Sequence, residues 1–402
     1  QAMKEVSEEL KRFDYKTYAR TGDIYSLFYE RGVQVLHRGG YLGYITSNKW
    51  MRAGYGKTTR NYFISHTQPI RLIDLGSGIF EEATVDSNLL LLKKADYTNE
   101  FEALDVSKEK DVTDLYQFHP NMLSMHPQKD ESWVISSPLE RSIKQKIEAI
   151  GKPLKEWDIN IYRGVLTGYN QAFIIDGAKK DELISQDPKS AEIIKPILRG
   201  RDIKRYKAEF ADLWLINSHN GVKGKFDRID VEKDYPAIYQ HLLQYEDRLK
   251  KRSDKGDHWT NLRNCAYIEE FEKEKILFTK ASKEQSFVYT NENLFLMQTA
   301  YICTGKSLKY ITAILNSNFI SYSFLKFYQS GGVEGEITLQ AIEIIPIPDL
   351  STEAQAPFVS LVEQILHAKE HNQDTTALER EIDLMVYELY GLTEEEIAVV
   401  ES

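Results

Sequence analysis

Cysteine is nearly absent from these 402 residues: Cys265 and Cys303 stand alone, with no metal-type spacing around either. Two isolated thiols exclude a disulfide framework and a cysteine-based zinc site, so both are expected to be reduced core residues and no metal is expected. Long apolar runs are missing too. None approaches the roughly 18 residues that a membrane-spanning helix needs, and the amino-terminal residues lack a secretory signal pattern. A cytoplasmic protein, monomeric and without a membrane partner, is the expectation. No internal repeat of about 20 to 50 residues stands out, which excludes a solenoid or propeller. From Glu381 onward the last 22 residues hold seven acids and neither Lys nor Arg.

What is present is a globular composition, 42% hydrophobic, with 24 Tyr and 17 Phe. Such rings supply rigid amphipathic surface, used in cores and in stacking on bases. At roughly 100 to 200 residues per domain the length predicts two or three domains. The formal net charge is -10, but the layout is polarised. Between Lys195 and Lys207 the basic residues are Lys195, Arg199, Arg201, Lys204, Arg205 and Lys207, against the single acid Asp202. Arg248, Lys250, Lys251, Arg252 and Lys255 make a second run. A basic middle with an acidic tail suits a protein that grips phosphates with one face, although a solvated surface helix explains the second run equally well.

Asp23 is a plausible cap for a helix from Ile24 to His37, ended by Arg38-Gly39-Gly40. Tyr41 to Thr46 then reads as a buried strand, Lys57 to Ser65 as a helix, and Ile70 to Leu75 and Asn88 to Lys93 as strands. This alternation predicts an α/β unit, half of a mostly parallel doubly wound sheet. Ser137-Pro138 starts a helix to about Ile150. From Ile159 to about Pro348 short Tyr-, Ile- and Phe-rich strands alternate with turns, interrupted by helical stretches at Tyr235 to Lys251 and Leu308 to Phe327. Thr352 to Glu401 is amphipathic helix. The expected domains are therefore 1–133, 134–350 and a helical segment over 351–402.

Three tempting motifs do not carry chemistry. Leu72-Ile-Asp-Leu-Gly-Ser-Gly78 looks like the loop with which methyltransferases cradle S-adenosylmethionine, but such a loop should feed a helix whose N-terminus faces the ligand. Here Phe80-Glu-Glu-Ala-Thr runs straight towards the strand at Asn88. Nor are any two of the 11 prolines adjacent, which removes the Asn-Pro-Pro-aromatic loop that holds a target amino group. Gly56-Lys57-Thr58 lacks the earlier Gly of a phosphate loop, since position 51 is Met. Glu272-Lys-Glu-Lys275 is the nearest approach to a nuclease signature and lies in an ordinary charged run, so cleavage of DNA is not expected of these residues.

The run from Thr21 to Arg52, containing Gly-Asp-Ile-Tyr25 and Thr-Ser-Asn-Lys-Trp50, followed by Gly76-Ser-Gly-Ile-Phe80, resembles adenine-N6 DNA methyltransferases of the type IIG and TaqI-like group. The resemblance implies that Asp23 and Tyr25 border the adenine pocket. It implies also that Asn48 and Lys49 close the next strand on the substrate side and that Phe80 stacks on the flipped base. An aromatic wall restores stacking lost when a base leaves the duplex. Further along, Ile161-Tyr-Arg-Gly-Val-Leu-Thr-Gly-Tyr-Asn170 and Ile197-Leu-Arg-Gly-Arg-Asp-Ile-Lys-Arg205 are similar to the two hallmarks of the TaqI-like target-recognition domain. This makes Arg163, Thr167, Tyr169, Asn170, Arg199, Arg201, Lys204 and Arg205 candidate contacts to double-stranded DNA. Lys275 to Lys280, Ala313 to Ser317, Gly331-Gly-Val333 and Glu343 to Pro348 follow in the family's order, with Lys280 a further candidate contact. Asp383 to Ile397 matches its terminal helix-turn-helix, expected to be a packing element.

The fold expected from both readings is a partial doubly wound methyltransferase sheet, then an α+β target-recognition domain and a helical tail. The resemblance places these residues after the cofactor and catalytic loops, so S-adenosylmethionine is expected to serve the full-length protein and no cofactor to bind here. The alternative is a non-catalytic DNA specificity subunit, which would have no use for an adenine-facing strand set ending in Phe80.

Overall fold

A computed structural model of the chain describes residues 9–80, 85–109, 111–280, 285–329 and 337–402. Gly331-Gly-Val333 lies outside that set. The described residues fall into two compact units, one drawn from residues 1–146, 323–334 and 393–402, the other from 147–322 and 335–392. No described helix is long and apolar enough to cross a membrane.

In the first unit, β1 (Tyr41–Ser47), β2 (Gln68–Gly76), β3 (Ser87–Lys93), β4 (Phe101–Asp105) and β5 (Leu123–Met125) form one sheet in the order β1-β3-β2-β4-β5. Helix α1 (Tyr25–Val35) precedes it, and α2 (Lys57–His66) connects β1 to β2. Both β1 and β2 pair antiparallel with β3, so they share a direction and their carboxyl ends lie at one edge. The expectation of a mostly parallel sheet is corrected: β2 and β4 make the one parallel pairing among the described strands of this sheet. The physical reason is the short connection over residues 77–86. A parallel return needs a dozen or more residues, usually a helix, so β3 comes back antiparallel.

Two details of α1 also differ from expectation. It starts at Tyr25, and the Asp23 carboxylate accepts the adjacent Ile24 amide at 2.7 Å instead of capping the third residue. The aromatic side chains behind the sheet meet edge to face: Tyr29 and Phe63 at 5.1 Å, Trp50 and Phe63 at 5.2 Å, Trp50 and Trp133 at 5.3 Å between ring centres. Such pairs add about 0.5–1.5 kcal/mol each beyond area burial. Buried Arg60 on α2 donates to the carbonyls of Trp50 (2.6 Å), Ala53 (3.1 Å) and Glu131 (2.6 Å), tying the turn after β1 to this core.

Helix α3 (Pro138–Ile150) begins as its cap predicts, the Ser137 amide donating to Glu140 at 2.6 Å. The second unit holds two four-stranded sheets, β14-β13-β16-β7 and β15-β9-β12-β8. Their strands are β7 (Ile159–Arg163), β8 (Ile174–Asp176), β9 (Ile194–Leu198), β12 (Leu213–Ile216), β13 (Lys275–Thr279), β14 (Phe287–Thr290), β15 (Phe295–Leu296) and β16 (Ala300–Gly305). Smaller pairs are β6 (Gly151–Pro153) with β17 (Pro346–Pro348) and β10 (Ile203–Lys204) with β11 (Lys207–Ala208). The helical stretch expected from Leu308 to Phe327 breaks after α4 (Leu308–Asn316). There the Asn316 side chain turns to the Phe287 backbone, accepting at 3.1 Å and donating at 2.8 Å, and Ser317 Oγ accepts the Ile320 amide at 3.3 Å. α5 (Thr352–Glu370) and α6 (Thr376–Leu389) belong to this unit.

Candidate nucleic-acid interface

At the shared edge of the first sheet, Asn48 follows β1 in a short turn and its amide donates to Asp74 Oδ1 at 2.9 Å. Asp74 also accepts the Gly76 amide at 3.2 Å and is 3% exposed. Burial holds its carboxyl above the usual carboxylate range, against the lowering effect of the Asn48 bond. Phe80, four residues past β2, is 45% exposed. Lys49 stands in the same turn as Asn48, its amide on Ser47 Oγ at 3.4 Å. Tyr25 is half-buried with its hydroxyl 2.9 Å from that of Tyr55, and burial pushes its ionisation well above the ordinary tyrosine value.

The described residues around Asp74 do not fit S-adenosylmethionine. Gly76 has φ +68°, and a Cβ there would lie 2.7 Å from the Ser107 carbonyl, so the glycine serves a tight turn against its own chain. Among the described residues the next element is β3, not a helix whose N-terminus could face a ligand. The phosphate-loop look-alike is likewise structural: Lys57 opens α2 and pairs with Asp130 at 3.1 Å.

In the second unit the segment from β15 to β16 gathers three separate stretches. The Val165 amide donates to Leu296 O (2.7 Å), Gly164 to Ala300 O (2.9 Å), Met297 to Leu198 O (2.9 Å), and Lys280 to Thr299 O (2.9 Å). Gly164 has no room for a side chain, since a Cβ would sit 2.1 Å from the Met297 carbonyl. The packing therefore holds Gly164–Val165, the strand end at Leu198–Gly200 and Lys280 on this segment. Arg163, Arg201, Gln298 and Thr299 on or beside these stretches are exposed, as are Asn170 and Lys204 further along the chain. Arg163 also reaches the Gln298 carbonyl through Nε at 3.1 Å. Sequence reasoning missed Gln298 and Thr299; a polar pair directly before a buried strand was the available signal.

The basic residues divide by partner. Arg199 grips buried Asp202 with Nε at 2.9 Å and Nη2 at 2.7 Å, and Asp202 also accepts the Arg199 amide at 2.8 Å. Arg205 donates to Glu379 at 2.5 Å. Both arginines thus brace the fold, whereas Arg201 is exposed beside Asp202, whose carboxyl it helps to hold low, and Lys204 is exposed on the β10–β11 hairpin. Thr167 is buried, its hydroxyl donating to Asn170 Oδ1 at 2.5 Å, so its contribution is the turn itself. Tyr169 packs under Arg248, whose guanidinium lies 5.7 Å from the ring centre.

The second basic run also splits. Lys250 pairs with Glu246 at 2.7 Å on a surface helix. Arg252 is 9% exposed and donates to the carbonyls of Thr167, Asn261 and, at 2.9 Å, Trp259, over the ring of Phe173 at 4.5 Å. Desolvation pushes its pKa down to about 10. It is an internal anchor for the Thr167–Asn170 turn.

The nuclease look-alike resolves the same way. Lys275 is fully buried at the start of β13, its ammonium donating to Lys273 O (2.9 Å) and Glu292 O (2.6 Å). Burial lowers its pKa to about 8. Between about 8 and the ordinary lysine value near 10.4 the unfolded chain binds more protons at this site than the folded one, so stability rises with pH there. Urea unfolding at pH 7.5 and 9.5 should show wild type gaining relative to Lys275→Met, by at most about 1.4 kcal/mol per pH unit; parallel curves would assign the lysine an ordinary ionisation.

One unit presents a strand edge with an exposed aromatic, and the other an exposed basic face. Comparison with known proteins gives the class that the chain resembles. Residues 1–80 match the Eco57I restriction-modification methylase family and residues 195–347 the TaqI-like C-terminal specificity domain. The chain is 22% identical over 423 residues to type II methyltransferase M.BstVI of Geobacillus stearothermophilus, covering 96% of this chain and 70% of that protein. It is 26% identical over 266 residues to the type II restriction enzyme and methyltransferase RM.Eco57I of Escherichia coli, covering 60% of this chain and 26% of that protein. A solved structure of the type IIL restriction-modification enzyme MmeI in complex with DNA shares the fold, with a TM-score of 0.68 at 12% identity over 98% of this chain and 53% of that one. The chain thus spans about half the length of the MmeI chain and about a quarter of RM.Eco57I. It is similar to type II restriction-modification methyltransferases, with one segment that matches the Eco57I methylase family and one that matches the TaqI-like specificity domain.

Proposed function

We propose that this chain is the DNA-reading and adenine-facing portion of a site-specific adenine-N6 DNA methyltransferase, working in a full-length protein that uses S-adenosylmethionine. The observation that carries the reading is that the β15–β16 segment, with exposed Gln298 and Thr299, holds the stretches that bear exposed Arg163 and Arg201, with exposed Lys204 three residues beyond Arg201 and Asn170 in the turn after Arg163. Cations placed this way neutralise phosphates and fix register, while the polar side chains offer donors and acceptors to base edges. Exposed Phe80, beyond the Asn48–Asp74 pair, is suited to stack on a base taken out of the duplex. Asp23, Tyr25 and Lys49 then border that base. The name of RM.Eco57I joins restriction and methylation in one protein; for the present chain the proposal is limited to recognition and presentation of the target.

The division of labour is open to a direct test. Calorimetric titration of the chain with S-adenosylmethionine should give no heat of binding, because Asp74 and Gly76 are used within the protein. Clear one-to-one binding would overturn the assignment of these residues to the DNA side alone.

A further inference from the structure

Helix α5 ends in His367-Ala-Lys-Glu370-His371. Positions i, i+3 and i+4 put the two imidazoles and the carboxylate on one helix face. One ligand atom from each lies within 4.8 Å of the others, the one such group of His, Cys, Asp and Glu among the described residues. All three side chains are exposed, and the imidazole rings are 4.4 Å apart between centres.

The hydrogen-bonding is that of a prepared ligand set. His371 Nδ1 lies 2.8 Å from the His367 carbonyl oxygen. A carbonyl only accepts, so Nδ1 carries the proton and the Nε2 lone pair is left free. A second-nitrogen bond to a carbonyl fixes tautomer and ring orientation in metal-ligating histidines. Electrostatics favour a cation as well. The partial negative charge of the α5 C-terminus falls here, and Lys369 in the same turn is engaged by Glu379 at 3.2 Å.

We propose that His367, Glu370 and His371 hold one late first-row divalent ion of the zinc class, leaving a fourth position for water or an anion. Two imidazoles and a carboxylate select Zn2+, Ni2+ or Cu2+ over Mg2+ and Ca2+. The ligands close to tetrahedral spacing by rotation of exposed side chains. The site adjoins the turn over residues 371–375, where Lys207 donates to Asn372 at 2.7 Å, and Arg205 meets Glu379 just beyond. A bound ion would brace the turn on which the β10–β11 hairpin rests, and with it exposed Lys204. Counting cysteines overlooked this site; the His-x-x-x-His spacing was the signal.

Titration of the chain with zinc chloride against a chromophoric chelator should give one equivalent bound, weakened at least about 10-fold by His367→Ala or His371→Ala and less by Glu370→Gln. Zinc should raise the melting temperature of wild type and not of the His367→Ala/His371→Ala variant. Exposed positions leave the fold intact, which equal metal-free melting temperatures would verify. Absence of a bound equivalent, or equal affinity in the double variant, would overturn the proposal. Persistent binding by Glu370→Gln alone would retain the two histidines as the essential ligands.

Discussion

Arg252→Met should destabilise the protein by about 3 kcal/mol and disturb DNA binding without removing a DNA contact. The guanidinium serves three carbonyls, those of Thr167, Trp259 and Asn261, in a site that is 9% exposed. Each buried acceptor left unpaired costs about 1–3 kcal/mol, and water admitted to the gap recovers part of the total. Methionine keeps much of the packing of the stem, so the loss reports the hydrogen bonds. Arg248→Ala, four residues away in the same basic run but exposed, should change stability by no more than about 0.5 kcal/mol. Urea unfolding of the two variants side by side is the measurement. Equal and small effects would mean that Arg252 does not anchor the turn at Thr167–Asn170.

The second large effect belongs to the interface itself. Arg201→Ala combined with Lys204→Ala should weaken binding to duplex DNA by about 10- to 100-fold, on the order of 1–3 kcal/mol, with unfolding midpoints close to wild type. Both side chains are exposed, and Asp202, the electrostatic partner of Arg201, already holds the Arg199 fork, so removing them chiefly subtracts surface charge. Arg199→Ala offers the contrast. It breaks the fork to Asp202 and leaves a buried carboxylate with fewer donors, so its effect should show in stability as well as in affinity. An unchanged affinity in the double variant would put the interface elsewhere.

Arg199, Arg201, Lys204 and Arg205 are indistinguishable as charges along the chain. The three-residue spacing from Arg199 to Asp202 hints at one internal pair, but the Arg205–Glu379 pair joins positions far apart in sequence and has no local signature. The same holds for Arg252, whose acceptors at Thr167 and Asn261 are brought to it by tertiary packing. The runs at Ile70 and Asn88 were legible because each is long enough to bury a strand; the run at Tyr41 forms a strand as well, but not the buried one expected, since β1 is the sheet's edge with Tyr41 57% and Ile45 49% exposed, and β5, with three residues, was not legible. The direction of β3 was legible too, in the shortness of residues 77–86, although the alternation suggested a parallel sheet. Phe80 could be singled out through resemblance alone, since an exposed aromatic has no periodic pattern to mark it.

The central claim, that this chain holds duplex DNA through the exposed cations beside the β15–β16 segment, is tested most directly by the salt dependence of its affinity. The logarithm of the binding constant should fall linearly with the logarithm of salt concentration, and the slope of the Arg201→Ala/Lys204→Ala variant should be shallower by about 2, one unit for each lost phosphate contact. A wild-type affinity independent of salt, or identical slopes for the two proteins, would contradict the account.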